Sequence, residues 1–224
     1  MIKENRLLRY VLNPILSLWM ALPAFAHSVW IEPDSNGEMV ARFGEFGDDP
    51  ETSPGYLDSL DPVVAWEQTA NDEIKPIKVT LKKDGFDLPT SPEGAVQSQT
   101  GVPIMTRGSS PARKPHFYAR WAPSFGKAAA PAMTLDIVPT GKPGEVRVFF
   151  RNKPLPGVEL TLYTPEANDQ ELKSDKDGLV HFTSTEKGLF MLKVGRYREE
   201  RAGFDRGSLF RLVSHNCSLT WVQR

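Results

Sequence analysis

Apolar and polar positions in this chain alternate in short runs that are cut by turn residues. Past residue 26, the first run is Val29-Trp30-Ile31. After the turn Asp34-Ser35-Asn36-Gly37 come residues 39–43, 63–66 and 77–81. A period of two sends successive side chains to opposite faces of a strand, so these runs predict half-buried β-strands. Residues 89–115 are rich in Pro, Gly, Ser and Thr and predict a long loop with one short strand near 102–105. Residues 117–121 and 133–138 predict the closing strands of a first β-unit. Strands at 145–150, 158–163, 171–174, 179–183, 189–194, 209–213 and 217–222 then follow. The turn Asp175-Lys176-Asp177-Gly178 carries the Asp-Gly pair that a tight hairpin needs. The mixed-charge run Arg196-Tyr197-Arg198-Glu199-Glu200-Arg201 predicts an exposed loop. No helical period is visible past residue 26.

This pattern predicts an all-β protein of two β-sandwich domains. Residues 27–138 form the first, with its long loop. Residues 139–224 form the second, an immunoglobulin-like or transthyretin-like sandwich that begins after the Pro- and Gly-rich stretch 139–144. Residues 1–26 read as a signal peptide. The start is basic (Lys3, Arg6, Arg9), an apolar run spans 11–22, and Pro23 precedes the small-x-small site Ala24-Phe25-Ala26. A membrane span needs roughly 20 consecutive apolar residues. This run is shorter and holds Asn13 and Pro14, so cleavage is expected rather than anchoring. The mature chain would start at His27 and be periplasmic or secreted, and would not span a membrane.

Composition narrows the function. Without Lys3, Arg6, Arg9 and Glu4, the 27 basic and 28 acidic residues become 24 and 27, a net charge of −3. That balance gives no electrostatic reason to expect a nucleic-acid partner. The lone cysteine, Cys217, excludes an internal disulfide, so stability must come from apolar burial.

Two stretches carry a resemblance. "NKPLPGVELTLY" (152–163) followed by "KSDKDGLVHFTSTEKGLFMLKV" (173–194) resembles the carboxypeptidase-regulatory-like β-sandwich. With the start His27-Ser28-Val29-Trp30-Ile31-Glu32-Pro33, the whole arrangement is similar to a family of secreted bacterial two-domain β-proteins described as periplasmic nickel or cobalt uptake components. His27, Trp30, Glu32 and Pro33 match that family's start, whereas Ser28 replaces an acidic residue. The resemblance implies a periplasmic location, a nickel or cobalt ion, and a membrane transporter or outer-membrane receptor as partner.

The histidines are the candidate chemistry. Cleavage after Ala26 would give His27 a free amine beside its imidazole, a chelating pair suited to Cu(II) or Ni(II). His116 is the preferred second imidazole, and His215 the next. His215 shares a predicted strand face with Cys217, Leu219 and Trp221, which reads mainly as core. His181 reads as solvent-facing. The acidic group Glu45, Asp48, Asp49, Glu51, Asp58 and Asp61 reads as a solvated loop. No nucleophile elbow, phosphate loop or dinucleotide fingerprint is present. The expectation is a non-enzymatic exported protein that binds nickel, cobalt or copper or assists its uptake. The alternatives are an envelope interaction or adhesion module without metal and, third, a copper oxidase built on a histidine brace.

Overall fold

The computed structural model describes residues 27–224 except Ala70 and Asp72, and the expected signal peptide lies outside the described residues. Sixteen strands run in order: β1 (Ser28–Pro33), β2 (Met39–Gly44), β3 (Val64–Gln68), β4 (Ile74–Ile77), β5 (Thr80–Leu81), β6 (Phe86–Leu88), β7 (Ala95–Gly101) and β8 (Arg113–Trp121) come first. They are followed by β9 (Leu135–Pro139), β10 (Glu145–Phe150), β11 (Lys153–Pro154), β12 (Glu159–Tyr163), β13 (Gln170–Lys173), β14 (Leu179–His181), β15 (Gly188–Asp205) and β16 (Ser208–Gln223). Among the described residues the one helical piece is a 3-10 turn at Tyr56–Ser59. No described helix is long and apolar enough to cross a membrane.

The chain is all-β and of sandwich type. Three sheets form, and the largest has eight strands in the order β13-β12-β15-β16-β8-β7-β3-β4. The expected division at 138/139 cuts through β9, which pairs with β10, and strands from both sides of it join in the large sheet. There β16 pairs with β15 on one side and, in parallel, with β8 on the other, from Leu212↔Arg113 to Thr220↔Trp121.

Alternation along β8 and β16 explains why one sheet serves two cores. Tyr118 of β8 and Cys217, Leu219 and Trp221 of β16 face a core shared with β9, β10, β12, β14 and β15, including Leu135, Ile137, Val146, Leu160, Leu162 and Phe190. Phe117, Ala119 and Trp121 face the other way, onto Val29, Ile31, Met39, Phe43 and Leu88 of the β1-β2-β6-β5 sheet. On that second face, β16 presents Ser218 and Thr220, whose hydroxyls donate to the carbonyls of Val29 and Ile31. The small sheet is thereby pinned to the large one by hydrogen bonds as well as by apolar burial.

The turns behave as their residues require. Asp34 Oδ1 accepts from the backbone N–H of Asn36 (2.8 Å) and Glu38 (3.0 Å). Asp175 Oδ1 does the same for Asp177 and Leu179, both at 2.8 Å. Gly178 sits at φ +74°, where a Cβ would stand 2.9 Å from the Val148 carbonyl oxygen. Two sequence readings need correction. The run 196–201 belongs to β15, whose 18 residues pair with β16 through register shifts between Val194 and Tyr197 and between Glu200 and Gly203. The supposed loop 89–115 contains β7 and the start of β8. Gln97, Ser98 and Thr100 of β7 are buried, so apolar alternation could not reveal this strand.

Candidate functional site

His27 stands directly before β1. Its ring lies 5.3 Å from that of Phe43 and 5.7 Å from that of Tyr56, centroid to centroid. Phe43 and Tyr56 stack on each other, and Phe43 meets Phe117 edge-on. The ring is therefore wedged against the second core. His27 Nε2 lies 2.7 Å from Glu51 Oε1. A carboxylate only accepts, so Nε2 carries a proton and donates. Glu51 is held in turn, since its N–H donates to the Phe43 carbonyl at 2.8 Å. Burial, and then the Glu51 charge, push the Tyr56 phenol above its ordinary pKa.

The other residues of the start motif form a separate strut. The Trp30 indole donates to Glu32 (2.9 Å), Glu32 pairs with Arg42 (3.1 Å), and Arg42 pairs with Asp84 (2.7 Å). The acidic group does not converge either. Glu51 holds His27. Asp58 caps the 3-10 turn through the Gly55 N–H (2.7 Å). Asp61 pairs with Lys114 (2.7 Å) and Arg206 (3.0 Å).

His116 and His215 are register partners in the β8–β16 pair, with ring centroids 6.1 Å apart. They share the face of Tyr118 and Cys217, whereas Phe117, against which the His27 cluster packs, lies on the opposite face. The structure brings His116 and His215 together and sets His27 across the sheet from both.

His215 is almost completely buried, and both its ring nitrogens are engaged. Nε2 lies 3.1 Å from Glu199 Oε2, and Nδ1 lies 3.0 Å from the Tyr118 hydroxyl. Glu199 takes two further bonds from Arg151, at 2.7 and 3.0 Å. Burial alone would raise the Glu199 pKa, but Arg151 and His215 bring it below the usual carboxylate value. Burial lowers the pKa of His215 despite Glu199, so the ring is neutral. Nε2–H then donates to Glu199, and Nδ1 accepts the Tyr118 proton. Burial pushes that phenol up to about 12. The result is a Tyr118–His215–Glu199–Arg151 chain that fixes tautomer and charge. His215 would bind a metal only by giving up one of these bonds.

His116 is half-buried at the edge of a cleft of about 640 Å³, also lined by Gln99, Tyr118, Thr134 and His215. Burial and then Lys114 lower its pKa. Cys217 is buried, its thiol raised far above the ordinary value by burial, in keeping with a core role. His181 points to solvent with 67% of its side chain exposed.

Sequence reasoning missed Arg120. It is 1% exposed in the middle of β8, forked onto the fully buried Asp136 at 2.9 and 2.7 Å, and it donates to Gln68 at 2.9 Å. Only the break it makes in the alternation of β8 hints at it. Among the described residues, no group of three or more His, Cys, Asp or Glu side chains is arranged to hold a metal ion. No protein-family model matches this chain, and no curated protein is significantly similar to it.

Proposed function

We propose that this protein is exported and carries a transition-metal ion of the nickel, cobalt or copper class at His27, acting as a binder rather than a catalyst. The observation that carries this reading is the bond from His27 Nε2 to Glu51 at 2.7 Å. Metal-ligating imidazoles characteristically donate their second N–H to a carboxylate, which fixes ring and tautomer. Here that bond leaves Nδ1 as the ligating nitrogen, the one that forms a chelate with the amine of the same residue. Cleavage after Ala26 would supply the amine. His116 and His215 lie across the sheet, so such a chelate would have few protein ligands and open coordination positions. A closed, four-ligand shell marks structural sites, and an ion that is received and passed on needs positions left open for the next ligand. A transporter or receptor of the envelope would complete that path.

One feature favours the metal-free docking module instead. Phe204 and Leu209, opposite each other near the tip of the β15–β16 hairpin, are 77% and 47% exposed.

The test compares the protein starting at His27 with one carrying an extra alanine before it, by calorimetric titration with Cu(II), Ni(II) and Co(II). The extra residue keeps every side chain and removes only the chelate. Binding of one ion is expected, lost in the extended protein and weakened about 10–100-fold in Glu51→Gln. Equal binding by both forms, or by neither, refutes the site and favours the docking module.

A further inference from the structure

The large sheet carries a second cleft, of about 430 Å³, on the face opposite His215 and under the loop that leads into β8. Its charge is one-sided. Arg107, Arg113, Arg196 and Arg198 line it, with no Asp or Glu in the lining, although the chain as a whole carries a net charge of −1. Register explains the convergence. Arg113 is paired with Leu212 and Arg198 with Ser214, so these four share one face of neighbouring strands. The β15 irregularity adds Arg196, at φ +57° and with its N–H donating to Asn216 Oδ1 at 3.0 Å. Such a bulge re-aims a side chain. The loop supplies Arg107. It is fastened by the two-way backbone pair between Met105 and Arg113, at 2.9 and 3.0 Å, and by the turn bond from Ser110 to Arg107 at 3.0 Å.

Two observations bear on what this cleft would accept. The charges around Arg113 are all of its own sign. Burial and then Arg196, Arg198 and Arg107 lower its pKa, and no carboxylate opposes them. Among the described residues, neither Arg107, Arg113 nor Arg198 has an ion-pair partner. The second observation is Ser214, which lies in the cleft wall at 1% exposure. Its hydroxyl has no hydrogen-bond partner among the described residues. A buried orphan hydroxyl is unfavourable, and so are like charges held together. An anion in the cleft would relieve both at once, accepting the Ser214 O–H and the guanidinium forks.

We propose that this cleft binds a small oxyanion with two or more negative charges, a phosphoryl compound or a polycarboxylate. The volume lies within the range of about 300–1,000 Å³ usual for small-molecule sites, and planar guanidinium forks match carboxylate and phosphate oxygens. The inference does not depend on the metal reading, since the cleft shares no residue with the His27 cluster.

Titration calorimetry of the full chain, in the form the cell accumulates, with pyrophosphate, inorganic phosphate and citrate at low ionic strength tests the proposal. At least one anion should bind at a single site, and affinity should fall as salt rises. Arg198→Gln, an exposed position, should weaken binding about tenfold or more, the scale of a hydrogen bond to a charged group. Ser214→Ala should weaken it several-fold. Arg151→Gln, on the opposite face, should leave it unchanged. Pyrophosphate alone would assign a phosphoryl ligand, and citrate alone a carboxylate. No binding of any of the three, or binding indifferent to both Arg198→Gln and Ser214→Ala, overturns the proposal. So does equal weakening by Arg151→Gln, which would indicate diffuse surface charge. A thermal shift on adding the anion, recorded for each variant, separates loss of the site from loss of the fold.

Discussion

The Arg120–Asp136 pair ties β8 of the large sheet to β9 of the smaller sheet packed on it, and its removal can be worked through in advance. Arg120 of β8 donates from Nε to Asp136 Oδ1 and from Nη2 to Oδ2. Its Nη1 reaches Gln68 of β3 and its Nη2 the Ala130 carbonyl. Asp136 of β9 also accepts the N–H groups of Ala132 (2.8 Å) and Met133 (3.3 Å). Strands β3 and β8 of the large sheet and β9 of the sheet built on β10 therefore meet on one buried ion pair. Asp136→Asn keeps the shape but leaves a guanidinium charge buried with no counter-charge. Breaking a buried pair in this way costs about 3–5 kcal/mol. At about 2–4 °C per kcal/mol for a chain of this size, the melting temperature should fall by about 6–20 °C. Urea unfolding reports the same loss as a lower midpoint at unchanged slope. The double variant Arg120→Met/Asp136→Leu removes both charges and should recover most of the loss. A loss below about 1 kcal/mol in Asp136→Asn, or a double variant no better than either single one, would refute the reasoning.

Two further predictions follow from the same geometry. Burial holds the pKa values of His215 and His116 below the ordinary 6.5, so the unfolded chain binds their protons first. Their contribution to stability is full above pH 6.5 and is lost as pH falls through the lower folded-state values. Urea midpoints at pH 7.5 and 5 should differ in the native protein and differ less in His215→Gln, and equal pH slopes would contradict this. The second concerns residues 140–224 produced alone. Sequence reading makes them an autonomous sandwich, but without β8 and β9 they lose Tyr118, Leu135 and Ile137 from the core and expose the parallel edge of β16. The fragment should show no cooperative thermal transition by near-ultraviolet circular dichroism, and a sharp one would support an autonomous second domain.

Fold class was legible because alternation is a local signal. Leu160 and Leu162 of β12, and Phe190 and Leu192 of β15, are buried as their period of two predicts, and Asp175 and Gly178 make the turn their chemistry requires. Polar strands were not legible. β7 buries Gln97 and Thr100, because its neighbours supply partners: Gln97 donates to Gln68, and Thr100 to the Asp61 carbonyl. A residue satisfied by a partner 29 or 39 positions away leaves no trace in a local window. The β15–β16 hairpin was hidden for a different reason. Its outer half is charged and runs into solvent, where no buried face imposes alternation, and two bulges shift its phase.

The site depended on parity between strands that are distant in sequence. His116 and His215 fall on one face because β8 and β16 are parallel with His116 opposite His215. A register one residue different would have put His215 opposite Phe117 and turned its ring to the side of His27. The sequence fixes the alternation within each strand, but the offset between the two strands is set by a pairing across about a hundred residues. The same offset decides what lies on the other face. With His215 committed to Tyr118 and Glu199, the intervening Ser214 must face away, and it lies in the cleft where Arg113 and Arg198 converge. One register thus produces both the closed histidine chain and the open arginine cleft. Histidines, the residues that draw attention in the sequence, are here largely satisfied by neighbours, whereas Arg107, Arg113 and Arg198, which look like ordinary surface charge, make no ion pair among the described residues.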